Sequence, residues 1–310
     1  MPIDVTYNTS VFILSGISAT WENRYIFFCI SFLCYLLIIS VNLTLIFTVL
    51  LRKALHEPMY IFLCSLCANC LYGSTGFYPK FLSDLLSELH VISYAGCIIQ
   101  AFFIYSSVLC DVSILTVMAY DRLVAICRPL EYHAVMTKRT VTKLIAFSWI
   151  APLSSMGFLV VFSSALTLCG SKIEKLYCEN WAIVKLSCSS TATYNVFAYM
   201  VIFTYMGHAV FIIFTYTKLF NSSIKCIEDR RKVIHTCTPH LVSLINVTVA
   251  FLFDTMYSRY GSRDFPQGLR HFLALEFLVV PPLLNPLIYG LKLTKVRNEF
   301  LQCIKNNVNC

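Results

Sequence analysis

The chain has 310 residues, of which 58% are hydrophobic and only 13% charged, with a mean hydropathy of +0.71. A soluble domain runs at about 45–50% apolar and about 25% charged, so there are too few charges to cover a water-soluble body and lipid has to serve as solvent. The net charge of +8 does not point to nucleic acid, because no basic stretch is interleaved with aromatics on a polar face.

Residues 1–24 carry Asp4, Glu22 and Arg24 but no basic start followed by a short apolar core, so no cleavable signal peptide is expected there. Seven apolar segments follow. The first, 25–51, lies between Arg24 and Arg52 and is longer than the roughly 20 residues that cross a bilayer. The second, 58–79, is free of charge between Glu57 and Lys80. The third, about 93–120, contains Asp111, and the fourth, 144–171, lies between Lys143 and Lys172. The fifth falls within 186–217 and includes His208. The sixth, about 234–258, contains Asp254, and the seventh, about 271–291, contains Glu276. Helices are expected throughout, since no period-2 pattern of barrel strands appears.

About two thirds of the 24 Lys and Arg fall on one side of these spans. Arg52, Arg122, Arg128, Lys138, Lys143, the cluster Arg230-Arg231-Lys232 and the tail lysines share that side. The positive-inside rule therefore predicts an outer N-terminus and a cytoplasmic C-terminus. Asn8-Thr9-Ser10 is a glycosylation sequon on the predicted outer side. The expected division is an N-terminal segment 1–24, a seven-helix domain 25–291 and a tail 292–310 with a short amphipathic helix over Lys295–Ile304. Cys97, Cys169, Cys178 and Cys188 face the oxidising side, and spacing alone leaves their three pairings open.

Four strings carry a resemblance. They are Leu55-His-Glu-Pro-Met-Tyr60, Met118-Ala-Tyr-Asp-Arg-Leu-Val-Ala-Ile-Cys127, Lys232-Val-Ile-His-Thr-Cys-Thr-Pro-His-Leu241 and Pro282-Leu-Leu-Asn-Pro-Leu-Ile-Tyr289. With these the chain resembles the olfactory receptors, rhodopsin-like G-protein-coupled receptors, and around Arg259-Tyr-Gly261 it looks most like their fish-like subgroup for water-soluble odorants. The resemblance implies an all-α seven-transmembrane-helix bundle in the plasma membrane. It also implies disulfides Cys97–Cys178 and Cys169–Cys188, and a heterotrimeric G protein, of the stimulatory type that raises cAMP, at the cytoplasmic face. Membrane lipid is the other expected partner, and nucleic acid is not.

Asp121-Arg122 reads either as a two-state switch or as an interfacial anchor. Within the longer string the resemblance favours the switch, with Tyr216, His240, Asn285, Pro286 and Tyr289 as its associates. Asp111 is an intramembrane carboxylate, 14 residues after Cys97 and so roughly 21 Å deeper. The family pattern pairs such an acid with an Asp on the second helix to form a sodium site. Here that position is Cys70, so a sodium ion and a protonated, hydrogen-bonded Asp111 are the two readings. No other cofactor is implied.

A small odorant is expected in the outer half of the bundle. Ile104, Tyr105, Val108, Leu109, Phe203, Met206, Thr248, Phe251, Leu252, Thr255, Arg259, Glu276 and Val279 are the expected contacts. Arg259 reads as an anchor for a carboxylate or as a rim cation neutralised by Asp254 or Glu276. With both signs nearby, a zwitterionic ligand also fits. A transporter would show internal repeats, and an opsin-like pigment would need a lysine within 271–291; the sequence has neither. No metal-spaced histidine cluster suggests an enzyme.

Overall fold

The computed structural model describes residues 11–17, 20–222, 227–261, 275–276, 278–286 and 288. The helices among them are α1 (Trp21–Leu51), α2 (Pro58–Leu85), α3 (Tyr94–Cys127), the short α4 (Tyr132–Val135), α5 (Lys138–Ser164), the short α6 (Asn180–Val184), α7 (Ala192–Ser222) and α8 (Ile227–Tyr260). Six of these are long and apolar enough to cross a membrane, and they fall on the first six expected spans. The described residues of the seventh expected span are helical too.

Each helix begins and ends for local reasons. Pro58 opens α2, where its missing N–H is one the helix could not have paired. The Ser93 hydroxyl accepts from Gly96 N at 3.1 Å to cap α3, and Thr137 caps α5 by accepting from Thr140 N at 3.3 Å. Two boundaries differ from expectation. α2 runs past Lys80 to Leu85, because Lys80 and Asp84 pair one turn apart on the same face. α5 stops at Ser164 rather than near residue 171. Beyond it the backbone turns to cross-loop bonds, Cys169 N to Leu186 O at 2.8 Å and Cys188 N to Thr167 O at 2.9 Å.

α3 is the central helix, buried along most of its length and packed by α2, α5, α7 and α8. Close approach to α2 depends on two small residues: a Cβ on Gly73 would meet Ser107 Oγ at 2.5 Å, and one on Gly76 would meet Phe103 Cβ at 2.5 Å. Isolated polar contacts cross the helices. Trp149 Nε1 donates to Ser65 Oγ at 2.9 Å, and Asn42 Nδ2 donates to Pro282 O at 3.0 Å, tying α1 to the seventh span.

One end of the bundle is capped by a small sheet that the sequence reading did not anticipate. β1 (Val11–Leu14) lies between β2 (Val91–Ser93) and β3 (Lys172–Ile173), antiparallel to the first and parallel to the second. Phe12 and Leu14 point inward onto Ile92, Ile173 and the Cys97–Cys178 pair. Both disulfides, Cys97–Cys178 and Cys169–Cys188, are formed. The first fixes the long 165–191 loop to the start of α3, and the second closes the loop on itself.

Candidate functional site

Beneath that loop, between α3, α5, α7 and α8, lies a cavity of about 520 Å³ including its opening. The enclosed space within it is about 70 Å³, small beside the roughly 300–1,000 Å³ usual for small-molecule sites, so it suits a ligand of few atoms. Leu109, Met156, Leu159, Ala198, Val201 and Phe251 make its walls apolar, and its polar points are concentrated towards the loop.

The loop is held down by a buried charge cluster. Lys175 Nζ lies 2.7 Å from Asp254 Oδ1 on α8 and 2.7 Å from Glu179 Oε2 in the loop. Asp254, only 5% exposed, also accepts from Tyr105 Oη on α3 at 2.6 Å and from Tyr177 Oη at 3.2 Å. Glu179 takes the Ser258 hydroxyl at 2.7 Å. Lys185 and the Trp181 indole both donate to Ser258 O near the end of α8, the indole at 3.1 Å. Burial by itself would lower the Lys175 pKa, but the Asp254 and Glu179 carboxylates outweigh it and hold the ammonium above the ordinary lysine value. Burial pushes the Glu179 carboxyl up, with Lys175 pulling against it. The cluster therefore ties three parts of the chain: Lys175 joins the loop to α8, and Tyr105 brings in α3 through Asp254.

Arg259 sits about one and a half helical turns beyond Asp254 but takes no part in that cluster. Its guanidinium stacks 4.2 Å from the centre of the Trp181 ring and 4.8 Å from that of Tyr199. It donates at the long distance of 3.4 Å to Asn195 Oδ1, and its Nε is buried without a partner. Among the described residues no carboxylate pairs with it, because Lys175 occupies Asp254 and Glu276 instead accepts from Asn246 Nδ2 at 3.2 Å. Of the two readings of Arg259, neutralisation by Asp254 or Glu276 is thus not met among the described residues: the loop cation takes Asp254, and Asn246 takes Glu276.

At the opposite end of α3, Asp121 is fully buried and accepts twice from Arg122, at 2.6 and 3.1 Å. It also accepts from Tyr132 Oη on α4 at 2.8 Å. Between the two ends, Asn69 Nδ2 donates to Asp111 Oδ1 at 2.8 Å and to Ser107 O at 2.7 Å. The buried Asn285 lies beside the Cys70 thiol.

Sequence comparison agrees with this architecture. Residues 28–307 match the family model described as olfactory receptor. The chain is 32% identical to mouse olfactory receptor 5M5 over 96% of its own length and 94% of that protein. It is 34% identical to mouse olfactory receptor 2C1, covering 96% of each chain. It is also 34% identical to human olfactory receptor 51E1, covering 97% of this chain and 96% of that one. The chain belongs to the olfactory receptor family.

The receptor is therefore a multi-pass, seven-helix membrane protein of the G-protein-coupled class, and not an enzyme. Of its expected ligand contacts, Tyr105, Leu109, Phe251, Thr255 and Arg259 line the cavity. Ile104 and Val108 are buried in the core beside it. Met206, Thr248, Leu252, Glu276 and Val279 are half-buried and do not reach it. Phe203 is a correction: it is 72% exposed and turned towards lipid. The inward stripe of α7 runs instead through Tyr194, Ala198, Tyr205, Ala209 and Ile212. The sequence reading missed Glu179, Asn180 and Trp181 on the loop, and Met156 and Leu159 on α5. Tyr216, Asn285 and Pro286 are buried, whereas Asn8, Tyr289, the His240 side chain and the tail lie outside the described residues.

Proposed function

We propose that the receptor detects a small odorant carrying a carboxylate, bound in the cavity between α3, α5, α7 and α8, with Arg259 as its anchor. The observation that carries this reading is the state of Arg259. It has a buried, unpartnered Nε and, among the described residues, no acid paired with it, at the polar edge of an otherwise apolar space. A guanidinium in that state offers parallel donors to a carboxylate, and the aromatic rings on both sides hold its plane in one orientation.

The loop end faces outward and the Asp121–Arg122 end faces the cytoplasm. The asymmetry of Lys and Arg and the two disulfides at the loop end support this orientation. Odorant binding favours one of two helix arrangements. In the other, Arg122 stays folded onto Asp121; release of that pair frees the guanidinium for a heterotrimeric G protein of the stimulatory type, and cAMP rises.

The test is a cAMP assay of the receptor co-expressed with such a G protein, using carboxylic acids and their methyl esters. Acids are expected to act at lower concentration than esters. Arg259→Ala should weaken the acids about tenfold or more, equivalent to about 1.4 kcal/mol, and Arg259→Lys should restore part of the loss. An unchanged acid response in surface-expressed Arg259→Ala overturns the anchor.

A further inference from the structure

The same cavity has a second polar pole, opposite in character to Arg259, and it comes from the loop. Glu179 and Asn180 are consecutive, each only 4% exposed, and both line the cavity. The described contacts of the Glu179 carboxylate use one oxygen only, Oε2, which takes Lys175 and Ser258. Asn180 donates its amide N–H to Tyr194 Oη at 3.2 Å, which leaves its carbonyl Oδ1 buried with no donor. This wall therefore presents acceptors, and a buried acceptor without a donor is costly until a ligand supplies one.

We propose that Glu179 and Asn180 form an ammonium subsite, so that the preferred ligands are amino acids with an apolar side chain. The carboxylate would lie on Arg259, the ammonium on Asn180 Oδ1 and Glu179, and the apolar portion against Leu109, Met156 and Phe251. The choice of a zwitterion rests on the Arg259 reading above; the ammonium subsite itself does not. An ammonium has three donors, enough for the free Asn180 oxygen and the unused Glu179 oxygen together. A bare carboxylic acid would leave both unsatisfied.

The experiment uses matched sets of three probes: a straight-chain alkanoic acid, the same acid bearing an α-amino group, and the corresponding alkylamine. Each set is assayed by cAMP on wild type, Asn180→Ala, Glu179→Gln and Arg259→Ala, with surface expression measured for each variant. The amino acid is expected to be about tenfold or more potent than the plain acid on wild type, or about 1.4 kcal/mol. Asn180→Ala should remove most of that advantage and leave the plain acid unmoved. This variant spares the Lys175 cluster, so it stays informative if Glu179→Gln fails to reach the surface. An amino acid no better than the acid, or an Asn180→Ala loss equal for both, overturns the subsite. Amine and amino-acid responses that depend on Asn180 but not on Arg259 overturn the carboxylate anchor and leave the subsite standing. No response to any probe overturns both.

Discussion

Lys175 Nζ reaches Asp254 Oδ1 at 2.7 Å, joining a loop residue to the sixth transmembrane helix through an ion pair that solvent scarcely touches. The same ammonium holds Glu179. One side chain thus bridges two buried acids and keeps the loop over the cavity.

Loss of that ammonium should be costly. Lys175→Met leaves two buried carboxylates without a cation, and breaking a buried pair from one side typically costs about 3–5 kcal/mol. The purified variant is expected to melt well below wild type, and Lys175→Met combined with Asp254→Asn should recover part of the difference. Equal melting temperatures for wild type and Lys175→Met would show that the cluster does not hold the loop.

His90, where the chain leaves α2 for β2, makes this end of the protein sensitive to acid. Burial lowers its pKa below the ordinary 6.5; Asp84 opposes this, while Arg24 and Lys80 add to it. The unfolded chain therefore binds a proton near pH 6.5 that the folded chain binds only at lower pH. Stability is fully present above 6.5 and is lost as the pH falls through the folded value. His90→Gln should flatten that acid slope in thermal melts taken between neutral and mildly acidic pH. A slope identical to wild type would assign the sensitivity elsewhere.

Tyr132 holds Asp121 from outside the helix that carries it. Removing that hydroxyl weakens the grip on the state in which Arg122 is folded back. A hydrogen bond to a charged group contributes about 1.5–3 kcal/mol. Tyr132→Phe is expected to raise ligand-free cAMP severalfold at equal surface expression, and Arg122→Ala to abolish the response to ligand. Unaltered basal signalling in Tyr132→Phe would remove Tyr132 from the switch.

Asp111 has one amide partner, Asn69, and a thiol, Cys70, where a second acid would complete a cation site. A single carboxylate with neutral neighbours is a poor cage for a hard cation that prefers several oxygens. Replacing sodium with choline at constant ionic strength should leave odorant potency unchanged in wild type and in Asp111→Asn alike. A sodium-dependent shift confined to wild type would establish the ion site.

The spans were legible because lipid solvation demands long apolar runs whatever the tertiary contacts. The Asp121–Arg122 pair could be read because its string is local. Facing was not legible in α7. There Phe203 and Met206 belong to a helix apolar on nearly every side, so no polar contrast marks the buried stripe. The spacing of Tyr194, Ala198, Tyr205 and Ala209 was the available signal. Glu179 and Asn180 were missed for another reason. Their positions depend on the Cys97–Cys178 tether and the Lys175 cluster, which join residues far apart in sequence. The β1–β3 sheet pairs three very short strands from separate parts of the chain, and none is long enough to show an alternating pattern.

The grip on α8 lies close to one end of a long rod. From Asp254 back to Ile227 the helix covers about 40 Å at 1.5 Å per residue. If it pivots near the loop cluster, each degree of tilt moves the Ile227 end by about 0.7 Å over that length. A rearrangement around Asp254 too small to change the volume of the cavity would therefore displace the far end by several ångströms. The molecule gains mechanical advantage from where the helix is held, and a ligand of very few atoms needs only to nudge the short arm.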